Sequence, residues 1–168
     1  DLSALLAAVF PNPPSTDVAQ RFRQAPGGKT MHHDYIGGLM EHTVSVAGIC
    51  ALLSAHYEGV DADLLLTGAL LHDIGKVHEL SYAGAFDYTD EGRLLGHLYM
   101  GAEYVDRVCA SLPAFPPGKT MLVKHMILSH HGELEYGSPK RPKTLEAILL
   151  HFVENMDAKV AAFQDAVA

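Results

Sequence analysis

The chain has 168 residues, of which 48% are hydrophobic, and a formal net charge of −8 at pH 7. This length suits a single domain, which buries roughly 70% of the surface that the unfolded chain exposes. The acidic balance argues against a broad basic surface, so we expect no stable binding of duplex DNA. No apolar run approaches the ~20 residues that span a bilayer, and the first residues lack a basic signal-peptide start, so we expect no membrane association.

The first part of the chain, residues 1–30, is predicted to be a helical lead-in to one domain that spans residues 1–168. It contains a short helix followed by a proline-rich turn at residues 11–14. Apolar residues then recur at spacings of three and four, which is typical of amphipathic helices. This spacing predicts helices at about residues 39–56, 94–111, 120–131 and 144–166. Residues 81–92 are expected to hold a short hairpin or an irregular loop.

A short and nearly all-apolar helix is predicted after Asp61, its expected N-cap, with Gly75 ending it. The segment closes with the sequence Gly68-Ala-Leu-Leu-His72-Asp73-Ile-Gly75-Lys76. Two strong metal ligands, His72 and Asp73, therefore lie side by side at the end of a helix that we expect to be buried. Since burial of an unpaired carboxylate is costly, Asp73 should have a partner or a metal.

Further candidate ligands recur along the chain at intervals close to one helix plus its connection. They are His42, His97, the doublet His130-His131 and Asp157. Helical bundles build inward-facing metal sites from one or two ligands on each helix. Taken alone, each of these histidines would be interpreted as a half-buried polar residue. Asp157 interrupts an apolar stripe, which also fits a hydrogen bond between helices or an ion pair with Lys159.

The chemistry of this set favours transition metals. Imidazole and carboxylate together suit Mn²⁺, Fe²⁺, Co²⁺, Ni²⁺ or Zn²⁺, whereas Mg²⁺ prefers oxygen ligands alone. No cysteine accompanies the set, which disfavours a closed structural zinc site. The donors are too numerous for one open tetrahedral site but suffice for two metals that share a bridging carboxylate. We expect two divalent transition metals, with Mn or Fe preferred over Co, Ni or Zn.

The two cysteines, Cys50 and Cys109, lie far apart within apolar helical patterns. This placement favours buried thiols in a reducing compartment over a disulfide framework. We therefore expect a cytoplasmic location.

The ordered set of ligands, from about His32 to Lys159, resembles the HD superfamily of metal-dependent phosphohydrolases. The resemblance implies an all-α fold, an HD-domain helical bundle with the metal site between its central helices. Three runs further resemble the HD domain of YhaM-type 3′→5′ exoribonucleases. These runs are His32-His33-Asp-Tyr35-Ile-Gly37-Gly38-Leu-Met-Glu41-His42-Thr43, residues 128–140 from Leu128-Ser129-His130-His131 to Pro139-Lys140, and Glu154-Asn155-Met156-Asp157-Ala158-Lys159.

The resemblance also implies a role for each candidate residue. One metal would be held by His42, His72, Asp73 and Asp157, and a second by Asp73 as a bridge together with His97 and His130. His131 would be a further ligand or a catalytic substrate contact. Lys76 would meet a phosphate oxygen, although a helix-end lysine that complements the dipole is an equal alternative. His33 and Tyr35 would form a wall of the substrate pocket, and Lys140 would supply positive charge for a nucleotide.

The implied function is a phosphohydrolase or phosphodiesterase that acts on nucleotides or on 3′ ends of single-stranded nucleic acid, by attack of a metal-bridging hydroxide on phosphorus. YhaM-type enzymes carry an upstream OB-fold domain, and this chain lacks the tryptophan and the basic, aromatic-rich strands of such a domain. We therefore do not expect processive RNA degradation by this chain alone, and an upstream OB-fold domain in a longer protein stays open. The alternatives are an HD-fold di-iron oxygenase, which shares the ligand set, and a non-catalytic nucleotide-sensing module.

Overall fold

The computed structural model describes residues 1–28, 35–81 and 87–167. The helices are α1 (Leu2–Val9), α2 (Asp17–Phe22), α3 (Gly38–His56), α4 (Ala62–Leu71), α5 (Lys76–Glu79), α6 (Asp90–Ser111), α7 (Pro117–Ser129) and α8 (Leu145–Val167). Two short strands, β1 (Leu80–Ser81) and β2 (Asp87–Tyr88), pair in antiparallel fashion. The all-α prediction is confirmed, and the expected hairpin lies between α5 and α6. The boundaries of the predicted helices differ from the observed ones by only a few residues.

Helix α4 lies at the centre of the bundle and contacts α1, α3, α7 and α8. Its sequence is apolar on nearly all sides, and Leu64, Leu65, Ala69 and Leu71 are buried. The predicted N-cap is confirmed, because the Asp61 side chain accepts a hydrogen bond from the backbone N–H of Leu64 at 3.0 Å. The central position of α4 means that residues after its last turn enter the interior.

The prediction that Gly75 ends this helix is wrong. Helix α4 ends at Leu71, and Gly75 has an ordinary helical φ of −64° directly before α5. A Cβ atom on Gly75 would lie 2.1 Å from the carbonyl oxygen of His97 and 2.7 Å from the backbone nitrogen of Gly101. Gly75 is therefore needed for the close approach of α5 to α6, and this approach places His97 beside the His72-Asp73 pair.

Helix α6 is interrupted at Gly96, which has φ 73° and ψ 157°. This left-handed backbone favours glycine, because a side chain there would clash with the main chain. The interruption starts a new helical segment at His97. The position of His97 thus depends on two glycines, Gly75 directly before α5 and Gly96 within α6.

Helix α3 is long and apolar enough to cross a membrane by length and composition, with a mean hydropathy of 1.4. From the sequence we expected no apolar run of this length, and this expectation did not identify α3. The finding is weak evidence for a membrane, since core helices of soluble proteins have the same properties. The buried face of α3 carries His42 and Thr43 together with Leu39 and Val46.

Both cysteines are free thiols in the interior, as predicted: Cys50 lies on α3 and Cys109 on α6. Burial raises the pKa of the Cys50 thiol to about 12, so this side chain is an apolar packing group at neutral pH.

Substitution of Gly75 should test the contact between α5 and α6. Gly75→Ala should lower the free energy of unfolding by roughly 1–3 kcal/mol, because the new methyl group meets backbone atoms that cannot move independently. The matched control is Gly48→Ala on α3, where a Cβ would meet nothing within 4 Å. This control should gain about 0.5–1 kcal/mol from the higher helix propensity of alanine. Urea unfolding measures both, and equal effects would contradict the close approach.

Candidate metal centre

Asp73 lies at the centre of the site, and its two carboxylate oxygens face different groups of histidines. Oδ2 lies 3.4 Å from Nε2 of His72 and 3.9 Å from Nε2 of His42. Oδ1 lies 3.5 Å from Nε2 of His97 and 3.6 Å from Nε2 of His130. One buried carboxylate therefore joins two histidine groups that come from distant parts of the chain.

The donor atoms form two compact groups, within each of which all ligand atoms lie within 4.8 Å of one another. The groups are His42, His72 and Asp73, and His97, His130 and His131. In the first group the Nε2 atoms of His42 and His72 are only 3.3 Å apart. The structure thus brings together every predicted donor except Asp157, and adds His131 to the second group.

Each of the five histidines is anchored by a hydrogen bond from Nδ1 to an oxygen. The pairs are His42 to Asp157, His72 to the Ala69 carbonyl, His97 to Glu79, His130 to the Ile127 carbonyl and His131 to the Tyr136 carbonyl. A carbonyl or ionised carboxylate only accepts hydrogen bonds, so Nδ1 must carry the proton in each ring. In a neutral ring the lone pair is then on Nε2. The Nε2 atoms of His97 and His130 lie 3.5 and 3.6 Å from Oδ1 of Asp73, which is the arrangement of metal-binding histidines.

Three buried atoms in this space have no hydrogen-bond partner among the residues that the structure describes. They are Oδ1 of Asp73, Nε2 of His97 and Nε2 of His130. A buried polar atom without a partner costs about 1–3 kcal/mol, and three that face one another are all acceptors here. Acceptors alone cannot satisfy each other, whereas a cation would satisfy all three. The residues therefore fit a metal ion at this point.

The charge states of the site suit cation binding. Burial and the neighbouring imidazoles of His72 and His131 hold the pKa of His130 well below its usual range. Burial also lowers the pKa of His131 to about 4. Burial alone would raise the pKa of Asp73, but the Lys76 ammonium and the His72 imidazole outweigh it and keep this pKa well below its usual range. At neutral pH the centre thus offers an ionised carboxylate and neutral His130 and His131 rings.

Asp157, predicted as a ligand, contacts the outer nitrogen of His42. Its Oδ2 lies 2.8 Å from Nδ1 of His42, and its Oδ1 accepts a hydrogen bond from Ser45. This contact explains the carboxylate within the apolar stripe of α8, because it joins α8 to α3. Direct ligation by Asp157 stays a prediction.

The Lys76 ammonium lies 2.7 Å from Oδ2 of Asp73 and 2.7 Å from the carbonyl oxygen of Gly27. Most of the side chain is buried, with 15% of it exposed, and the bond to Gly27 ties the site to the segment after α2. Lys76 therefore balances the charge of Asp73 directly. Its predicted contact with phosphate would be made from this position.

The roles of the other predicted substrate residues stay predictions. Tyr35, directly before α3, is half-exposed, and burial together with a hydrogen bond to Glu41 raises its pKa to about 12. Lys140 is exposed on the loop after α7. His33 lies outside the described residues.

Sequence reasoning missed two carboxylates. Oε1 of Glu79 accepts hydrogen bonds from both Nδ1 and the backbone N–H of His97, each at 3.0 Å. Glu79 thus caps the helical segment that starts after Gly96 and orients its first side chain. Glu154 lies in a cleft beside His131, and burial raises its pKa. Only the Glu154 position had a signal in the sequence, since it falls three residues before Asp157.

Comparison with known proteins gives a consistent result. A family model described as the HD domain matches residues 39–159. Three curated relatives named 3′-5′ exoribonuclease YhaM are similar to the chain: 39% identical over 142 residues in Bacillus velezensis, 39% over 139 in Bacillus subtilis, and 40% over 141 in a Geobacillus species. These matches cover 84%, 83% and 84% of this chain but 45%, 44% and 43% of the relatives. The chain therefore spans less than half the length of these relatives. No solved structure matches it.

The Asp73→Ala variant should lose both metals, because each oxygen of this carboxylate serves one histidine group. His97→Ala should weaken only the second site and leave the first occupied. Elemental analysis after gel filtration in Mn²⁺ measures the stoichiometry, and circular dichroism checks that the fold is retained. Two metals at full occupancy in Asp73→Ala would contradict the bridging role.

Substitution of Asp157 should show whether this residue binds the first metal directly or only orients His42. We expect Asp157→Asn to lower affinity for the first metal by roughly 10–100-fold without abolishing it, which is typical of an outer partner of a histidine ligand. The amide oxygen of asparagine can still accept the Nδ1–H bond of His42. Isothermal titration with Mn²⁺ measures this affinity. Complete loss of one metal, equal to that in Asp157→Ala, would instead support direct ligation.

Proposed function

The chain belongs to the HD domain family, and we propose that it is a metal-dependent phosphodiesterase acting on nucleotides or on the 3′ end of single-stranded nucleic acid. The observation that carries the proposal is the buried Asp73 carboxylate, whose two oxygens face separate groups of histidine Nε2 atoms. Such an arrangement fits two cations that share one bridge. Two-metal sites are typical of enzymes that displace an oxygen at phosphorus.

The first ion would be held by His42, His72 and Asp73, with Asp157 as a further ligand or as the anchor of His42. The second would be held by Asp73, His97 and His130, with His131 beside them. When bound, two such cations supply Lewis acidity, lower the pKa of a coordinated water and stabilise charge on the phosphoryl oxygens. Mn²⁺ and Fe²⁺ are the preferred candidates, since both accept mixed imidazole and carboxylate ligands.

The chain's own residues would prepare the site in three ways. The Nδ1 anchors fix the imidazole planes before substrate arrives, so little reorganisation is needed during reaction. The Lys76 ammonium keeps Asp73 ionised and lies close enough to the bridge to meet a phosphate oxygen. His131 is neutral at pH 7 and donates Nδ1–H to the Tyr136 carbonyl, so its Nε2 is an acceptor for a ligand at the second group.

The relatives favour hydrolysis over the alternative chemistry. They are named exoribonucleases, whereas the described donor set fits a di-iron oxygenase and a hydrolase equally. A sensing module without catalysis would have no need of a complete donor set. The net charge of −8 leaves little general attraction for a long polyanion, so this chain would bind a short substrate through the phosphates near its metals.

The proposal predicts cleavage of short single strands from the 3′ end. With Mn²⁺, the purified chain should release nucleoside 5′-monophosphates from a 5′-labelled oligonucleotide, and a blocked 3′ end should prevent this. Binding should weaken only slightly with salt, with a log–log slope near −1 to −2, because each contacted phosphate of a single strand contributes roughly −0.7.

The control is Asp73→Ala, which should be inactive on the same substrates. No hydrolysis by the unaltered chain with two metals bound would contradict the proposed function. Oxygen consumption with a non-phosphoester substrate would support the oxygenase alternative. A steep salt slope with tight binding of long strands would reveal a nucleic-acid surface that the described residues do not suggest.

A further inference from the structure

Two clefts flank the second histidine group, and they share a wall. One cleft, about 560 Å³, lies between the start of α6 and the loop after α7, and includes His97 and Tyr99. The other, about 440 Å³, lies between the same loop and α8, and includes Asn155 and Lys159. His131 and Tyr136 line both clefts. We call the first the α6 cleft, the second the α8 cleft, and the pair His131 and Tyr136 the ridge.

The ridge is held in place by hydrogen bonds from side chains to backbone carbonyls. Nδ1 of His131 donates to the carbonyl oxygen of Tyr136 at 2.9 Å. The loop continues into Ser138, whose hydroxyl donates to the Leu128 carbonyl at 2.9 Å and so ties the loop to the end of α7. The Tyr136 ring itself is 67% exposed. A fixed backbone with an exposed aromatic ring is the usual form of a platform on which a base stacks.

The inner end of the ridge reaches the metal centre. The His131 ring centroid lies 4.4 Å from that of His130 and 5.1 Å from that of His97. A phosphorus atom bound at the centre would therefore have one cleft on each side. A phosphodiester has a nucleoside on each side of its phosphorus, whereas a mononucleotide has only one.

We propose that the ridge divides two nucleoside subsites, and this proposal rests on the function proposed above. The substrate is then a diester that joins two nucleosides and not a mononucleotide. Each cleft takes one nucleoside, and Tyr136 stacks against a base at their border. This assignment defines Tyr136 as a substrate-binding residue.

The charges of the clefts assign a direction to the strand. Each cleft contains one glutamate, Glu154 in the α8 cleft and Glu79 in the α6 cleft. Lys159 on α8 adds a positive charge to the α8 cleft, while the described residues that line the α6 cleft include no lysine or arginine. The α6 cleft is instead largely apolar, with Leu95, Leu128 and Pro139 among its walls. A 3′-terminal nucleoside carries no further phosphate, so it fits the α6 cleft. The preceding nucleotide, with its 5′-phosphate, then lies in the α8 cleft near Lys159.

Binding of a dinucleotide analogue tests the two subsites without turnover. The probe is a dinucleoside methylenephosphonate with 2-aminopurine at its 3′ end, which retains the charge but cannot be hydrolysed at the replaced oxygen. With Mn²⁺ bound, it should bind at least about fivefold more tightly than 2-aminopurine nucleoside monophosphate, because a second base is held. Equal affinities for the two probes would overturn the proposal.

Variants of Tyr136 test the stacking platform. Tyr136→Ala should weaken binding of the dinucleotide probe by roughly tenfold, and Tyr136→Phe should restore it, since stacking needs the ring and not the hydroxyl. The matched control is Tyr57→Ala, an exposed tyrosine at the end of α3, which should leave affinity unchanged. Metal content must be equal in all variants. An unchanged Kd for Tyr136→Ala would overturn the assignment.

Lys159→Ala tests the direction of the strand. It should weaken a dinucleotide probe that carries a 5′-phosphate several-fold and leave the same probe without this phosphate unchanged. Lys143→Ala, which removes an exposed lysine of the loop before α8, is the matched control and should affect neither probe. Equal effects of Lys159→Ala on both probes, or none, would overturn the assigned direction.

The two proposals can fail separately. Dinucleotide hydrolysis by the unaltered chain, together with an unchanged Kd for Tyr136→Ala, would refute the subsites and leave the phosphodiesterase function. Tight dinucleotide binding that depends on Tyr136, without hydrolysis by the fully metal-loaded chain, would refute the function and leave a site for two nucleosides.

Discussion

The burial of one carboxylate, Asp73, is the constraint on which the rest of the site depends. An isolated ionised carboxylate is very unfavourable in the interior, so the fold must surround it with positive charge or with a cation. Lys76 supplies one permanent charge at 2.7 Å. Beyond it, the carboxylate faces imidazole nitrogens from four separate parts of the chain, and those of His97 and His130 have no hydrogen-bond partner among the described residues. A cation between these two nitrogens and the carboxylate would complete its surroundings. A bound metal would therefore stabilise the packing of α3, α4, α6 and α7 around this point.

The ends of two helices supply much of the order at the centre. His72 directly follows the last residue of α4, His130 directly follows that of α7, and each donates Nδ1–H to the carbonyl three residues earlier. The last carbonyls of a helix lack partners within the helix, so a following histidine can satisfy one of them while its ring is fixed. The same helix ends carry partial negative charge, which favours a cation nearby. The ends of α4 and α7 thus orient His72 and His130 and also favour a cation beside them.

Much of the fold and the choice of donors could be predicted from the sequence, because both depend on local patterns. The apolar spacing located the long helices, and the order of histidines and aspartates indicated their convergence. The position of Gly75 shows where this reasoning fails, and the contact of Asp157 with His42 shows what it leaves out. Gly75 is required by the backbone of α6, and Asp157 meets a histidine on α3 that is far away in sequence. Such pairs are determined by tertiary packing, which a single segment does not reveal. Glu79 had no signal at all, since its partner His97 is positioned by the break at Gly96.

The arrangement also separates the catalytic centre from the surfaces that would bind a long substrate. Every predicted donor lies between His42 and Asp157, within the segment that the HD domain model matches, so the whole candidate centre belongs to this one domain. A long strand would need many phosphate contacts, and the acidic balance of this chain supplies few. The clefts beside the ridge instead suit the two nucleosides next to one bond. Selection of that bond would then depend on the stacking of a base against Tyr136 and on the metals, which both lie at the ridge. Retention of a long substrate would depend on surfaces elsewhere, and these can change without disturbing the centre.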